Sequence, residues 1–198
     1  MALFWWAWFI SEGEGSEKRE YLISGFGISI LAIVVARLLA LSLPYRERPF
    51  HNSLLHFQLP YTMNPSILVG WSSFPSDHAV VFCSLTLTLW MVSKSLGIAA
   101  TLYTFFVVLF PRVYTGVHYP TDILAGALLG CGMASLIGIV RLRSGVAGFA
   151  LRWGERYPGP FYAFFFLCTF ELAELFDTVR TLSHPITRMI RPLLAMLR

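Results

Sequence analysis

Charge is what this sequence has least of. Asp, Glu, Lys and Arg make up 13% of its 198 residues, 56% are hydrophobic, and the mean hydropathy is +0.64. Soluble domains usually carry about 25% charged residues, so the shortage excludes an ordinary soluble globule and points to an integral membrane protein. The surplus of basic over acidic groups is only +4, too small in so apolar a chain for a nucleic-acid binder. Cysteine is scarce as well. Cys83, Cys131 and Cys168 sit singly in apolar runs, with no pairing pattern and no metal spacing, and read as small buried hydrophobes. The sequence also lacks an Asp/Glu-rich cluster of the kind that holds Mg²⁺, so neither a metal nor a cofactor is expected. No basic segment precedes the apolar residues 1–10, which argues against a cleavable signal peptide.

What the sequence has in quantity is apolar runs. They predict an all-α, polytopic membrane helix bundle with four spans, at 21–43, 79–92, 96–110 and 118–140. Residues 1–20 read as an apolar anchor or truncated span followed by a polar linker. Residues 21–140 form the main bundle. Residues 141–198 comprise a basic connector, a fifth span or interfacial helix at 161–176, and a basic amphipathic tail. The small residues from Gly126 to Gly138 read as a helix packing face.

Three polar clusters interrupt this apolar chain. Arg46 and Arg48 follow the first span, which itself carries Arg37; an arginine in such a run usually faces a polar interior. Trp71 to His78 leads into the second span, with Ser76 and Asp77 as helix caps whose first-turn N–H groups suit an anion. Arg112, His118 and Asp122 surround the last loop. If a helix starts at His118, His118 and Asp122 share one face and can hydrogen-bond, while Gly116 lets Arg112 fold back toward them. An imidazole backed by a carboxylate and faced by a guanidinium suits attack on phosphorus. Counting crossings puts all three clusters on one membrane face. Lys18, Arg19, Lys94, Arg141, Arg143, Arg152 and Arg156 fall on the other, so the positive-inside rule makes the clusters extracytoplasmic.

Taken together, the clusters resemble the type 2 phosphatidic acid phosphatase superfamily, whose signature is KxxxxxxRP, PSGH and SRxxxxxHxxxD in that order. Here L-S-L-P-Y-R-E-R-P keeps Arg48-Pro49 with Leu41 in place of the lysine. P-S-D-H has Asp77 in place of glycine, and P-R-V-Y-T-G-V-H-Y-P-T-D has Pro111 in place of serine. The resemblance implies that His118 attacks phosphorus and becomes a phosphohistidine, that Asp122 holds its tautomer, and that His78 protonates the leaving oxygen and later activates water. Arg48 and Arg112 would clamp the phosphoryl oxygens with Ser76 and the backbone around Asp77, and Arg37 or Arg46 would stand in for the lysine. It further implies a multi-pass protein of a bacterial inner membrane acting on a polyprenyl diphosphate or a phospholipid phosphate. The rival readings are a phosphatase-like protein that only binds or moves lipid, a haloperoxidase using the same anion pocket, and a metal hydrolase using His51, His56 and His78.

Overall fold

The computed structural model describes residues 1–11, 16–58 and 68–175, without the side chains of 140–142 and 146. The linker residues 12–15, Pro60 and Pro65, and the basic tail from Thr178 lie outside the described residues. Among the described residues there are seven helices and no strand: α1 (Ala2–Ile10), α2 (Ser16–Ser42), α3 (Asp77–Val92), α4 (Lys94–Tyr114), α5 (Pro120–Gly138), α6 (Val140–Arg156) and α7 (Pro158–Ala173). A short 3₁₀ turn at Ser53–Leu55 interrupts the loop after α2.

Helices α2, α4 and α5 are long and apolar enough to cross a membrane, and α3 is a shorter apolar helix of 16 residues. Large apolar side chains such as Leu31, Leu38, Phe105, Phe106, Leu124 and Leu128 face outward. Such a belt suits hydrocarbon rather than water. The chain is a polytopic helical membrane bundle.

Two expected boundaries move, both at prolines. α4 does not stop at residue 110 but continues through Pro111 to Tyr114, because the turn before it, Thr104–Leu109, is π-helical. Proline lacks an N–H and its ring presses on the carbonyl four residues back; a wider turn there relieves both problems. α5 begins at Pro120 rather than His118. Proline is preorganised for the first helical position, which leaves His118 in the preceding loop.

Helix α3 is the centre of the bundle, and glycines let its neighbours approach it. A Cβ on Gly25 of α2 would lie 2.3 Å from the Thr88 side chain, and one on Gly130 of α5 would lie 2.2 Å from the Val80 carbonyl oxygen. Gly126 and Gly130 of α5 thus form the expected packing face, whereas nothing lies within 4 Å of where a Cβ would stand on Gly132 or Gly138. Gly126 and Gly130 bring the N-terminal ends of α3 and α5 side by side.

Segment 1–10 is drawn into the bundle rather than left apart from it. Phe4, Ala7 and Trp8 are buried, and Trp5 and Trp8 donate their ring N–H groups to Thr169 (3.1 Å) and Tyr162 (3.2 Å) of α7. A buried tryptophan needs such a partner for its polar end. α7 starts beside Trp8 and Arg19 and ends with Glu174 beside His78, so it runs from one end of the bundle to the other. In α6, Arg143 reaches back to Glu17 (3.0 Å) and Glu20 (3.3 Å) and lies over the Tyr21 ring. That fastens the basic connector to the start of α2, at the end opposite the three clusters.

Candidate active site

The three polar clusters, far apart in sequence, are laced together by backbone hydrogen bonds. Phe50 donates to Gly116 (3.0 Å), Ser73 to Arg46 (2.9 Å) and Ser76 to Asp122 (3.2 Å). The last loop folds back as expected: Gly116 has φ +71, and the Val117 and His118 N–H groups both donate to the Arg112 carbonyl. A positive φ is easy for glycine, and here Phe57 also packs where a side chain would go.

These loops enclose a cavity of about 250 Å³ lined by Arg37, Arg48, Asp77, His78, Arg112 and His118, with Trp71 and Glu174 at its wall. His118 is buried, and its Nδ1 lies 2.8 Å from the Ser73 carbonyl oxygen. A carbonyl only accepts, so Nδ1 carries the proton and Nε2 keeps its lone pair. Burial pushes the His118 imidazole below its ordinary pKa, with Asp122 pulling the other way and the Arg48 charge adding to the depression. The ring is therefore neutral and nucleophilic at neutral pH.

Asp122 does not make the direct bond expected of it. Its Oδ2 is 3.6 Å from His118 Nδ1 and instead accepts the Tyr119 N–H (2.8 Å), while Oδ1 takes Arg46 (2.7 Å). With α5 starting at Pro120, the carboxylate caps the first turn and supports His118 electrostatically. The group that fixes the tautomer is the Ser73 carbonyl. Sequence reasoning missed it, because a backbone carbonyl has no residue signature.

Arg48 is held by two carbonyls, Val117 (2.9 Å) and Ser72 (3.3 Å), and burial lowers its pKa although Asp77 opposes this. Among the described residues its Nε is buried without a hydrogen-bond partner, and so are the Nε of Arg112 and the hydroxyl of Ser76. Each orphaned buried donor costs about 1–3 kcal/mol. Ser76 is fully enclosed and does not line the cavity, but Arg48 and Arg112 do, and their two orphaned donors suit the place to an acceptor-rich anion.

His78, the second residue of α3, has its ring parallel to that of Phe82, at 6.3 Å. Arg37 reaches the cavity, pairs with Asp77 and lies over the Trp71 ring at 4.8 Å. Arg46 does not line the cavity: it bonds Thr121 and Asp122 and lies over Tyr119. His51 and His56 do not line it either. Glu174 does, from the end of α7; a carboxylate closing an apolar helix was the only sequence signal for it. A separate apolar cavity of about 380 Å³ lies between α1, α3 and α4, and shares Phe82 and Tyr103 with a pocket lined by His78 and Arg112.

Residues 20–144 match the family model described as the PAP2 superfamily. The chain belongs to that superfamily. All three motif segments of this PAP2 protein fall inside the matched stretch, whereas α1, most of α6 and α7 lie outside it. It is similar to a bacitracin transport permease protein BcrC of Bacillus licheniformis, 32% identical over 52% of this chain and 48% of that protein. It is also similar to a decaprenylphosphoryl-5-phosphoribose phosphatase of Mycobacterium tuberculosis, at 28% over 62% of each chain. A third relative is an undecaprenyl-diphosphatase BcrC of Bacillus subtilis, at 26% over 65% of this chain and 60% of that one. The alignments thus span between about half and three fifths of these relatives' length. No solved structure matches this PAP2 protein.

Proposed function

We propose that this protein is a membrane lipid phosphatase that hydrolyses the phosphate or diphosphate headgroup of a polyprenyl or related lipid through a phosphohistidine. The observation that carries this is the pair of unpartnered, buried Arg48 and Arg112 Nε donors beside a histidine whose Nδ1 is already tied down. His118 Nε2 attacks phosphorus while His78, protonated, gives its proton to the departing lipid oxygen. His78 then takes a proton from water, which attacks the phosphohistidine, releases inorganic phosphate and restores His118. Arg48 and Arg112 stabilise the charge on the non-bridging oxygens, which is the work a metal ion does in other phosphatases, so turnover proceeds without one.

The relatives named for decaprenyl and undecaprenyl substrates support a long isoprenoid tail, and the apolar cavity beyond Phe82 offers a place for it. The excess of basic residues at the opposite end of the bundle supports an extracytoplasmic site in a bacterial inner membrane. One relative bears a transport name, but a neutral, oriented imidazole is a feature of catalysis that transport does not need.

The test is phosphate release from undecaprenyl diphosphate by the full chain in detergent. Release in the presence of EDTA, blocked by vanadate and abolished in His118→Ala, is expected. Activity that survives His118→Ala, or that strictly requires added metal, overturns the mechanism.

A further inference from the structure

Two of the site's three departures from the superfamily signature are Leu41 for lysine and Asp77 for glycine. In the fold these departures are one event. Leu41 is 84% exposed and does not line the cavity. Arg37, one helical turn earlier, enters the cavity over Trp71 and forms an ion pair with Asp77. The cation has moved back by one turn, and a carboxylate has appeared where it lands.

We infer that Asp77 is an exchange partner for Arg37. Its carboxylate holds the guanidinium at the cavity wall when the site is empty, yields it to the phosphoryl group on binding, and takes it back as inorganic phosphate departs. This rests on the phosphatase reading and concerns its product step. A carboxylate and a phosphate offer a guanidinium the same pair of oxygens, so one can replace the other without moving the arginine far. Asp77 is the first residue of α3, where the helix end favours an anion. Both side chains are partly exposed, at 31% for Arg37 and 14% for Asp77, so an entering ligand can reach the pair.

The need for such a device follows from the surroundings. Arg37, Arg48 and Arg112 converge on one cavity at a helix N-terminus. Three guanidinium groups would hold a doubly charged product firmly, and tight binding of a ground state does nothing for turnover. A carboxylate that competes for one of them loosens the product. It costs little in the transition state, where the Arg48 and Arg112 contacts persist.

Inhibition by inorganic phosphate and by orthovanadate reads this directly, in the purified full chain. Asp77→Asn should lower both inhibition constants about tenfold, the scale expected for removing one nearby charge at a partly exposed site. It should also reduce kcat more than kcat/KM, as phosphate release becomes limiting. Arg37→Ala should weaken both inhibitors and lose most activity. In Arg37→Ala/Asp77→Asn the gain should vanish, with constants no tighter than wild type. A residue needed only to start α3 would weaken binding when replaced, so tightening is the discriminating sign. Asp77→Ser serves the same purpose if the asparagine variant does not fold. Unchanged or weaker inhibition in a folded Asp77 variant, or tightening that persists without Arg37, overturns the exchange. If His118→Ala still hydrolyses lipid phosphate, the phosphatase mechanism itself fails instead.

Discussion

Arg48→Lys keeps the charge and removes the geometry, so it asks whether the site needs a guanidinium or only a cation. Arg48 is 5% exposed and spans two loops: one terminal nitrogen donates to Val117 (2.9 Å), the other to Ser72 (3.3 Å), and Nε remains for the phosphoryl group. A lysine ends in a single nitrogen on a flexible stem and cannot serve three acceptors in three directions. Hydrogen bonds from a charged donor contribute about 1.5–3 kcal/mol each, so losing one loop tie and one phosphoryl contact amounts to roughly 3–6 kcal/mol. At about 1.4 kcal/mol per decade, kcat/KM should fall by roughly two to four orders of magnitude. The assay is phosphate release from undecaprenyl diphosphate in detergent, with thermal melting to confirm that the variant folds. Arg46→Lys is the internal comparison; because Arg46 lies outside the cavity, it should cost less than about tenfold. A folded Arg48→Lys enzyme within tenfold of wild type would refute the reasoning.

Two further outcomes follow from the same geometry. Burial depresses the His118 pKa, so the imidazole stays unprotonated to a lower pH than an ordinary histidine; the acid limb of kcat/KM should lie below about 6.5, and a limb at or above that value counts against the burial argument. The same depression makes the unfolded chain the better proton acceptor, so this group's contribution to stability is lost as the pH falls through that region. Gly130→Ala would place a methyl 2.2 Å from the Val80 carbonyl oxygen; forcing α3 and α5 apart should cost about 1–3 kcal/mol, seen as a lower melting temperature, and an unchanged melt would show that the close approach is not needed.

Much of the fold was open to sequence reasoning because membrane spans announce themselves by length and composition. The misplaced boundaries fell at Pro111 and Pro120, where a proline can sit inside the first turn of a helix or end one, and only the neighbouring backbone decides. Short and interrupted pieces were harder. Residues 1–10 are too few to span on their own, and their role emerged only from the partners that Trp5 and Trp8 find on α7, more than 150 positions later. Six of the seven charged or histidine groups lining the cavity were named from the sequence, since ionisable groups are rare and costly in such a chain; Glu174 was not. The carbonyls of Ser72, Ser73 and Val117 that orient Arg48 and His118 were invisible, because every residue has one.

The choice between Arg37 and Arg46 shows where pattern stops and tertiary structure begins. By sequence either arginine could stand in for the missing lysine; in the fold each meets a carboxylate instead, Arg37 Asp77 and Arg46 Asp122. Burial breaks the tie. Asp122 is completely enclosed, and burying a carboxylate without a countercharge costs several kcal/mol. Arg46, extending from the loop beside α5, meets that requirement at 2.7 Å and is held flat by the Tyr119 ring. It is thereby spent on supporting the loop that carries His118. Asp77, at the open cavity wall, tolerates a partner that can leave, and Arg37 is that partner. The same kind of ion pair thus has two uses, permanent where the carboxylate is sealed and exchangeable where a phosphate can reach it.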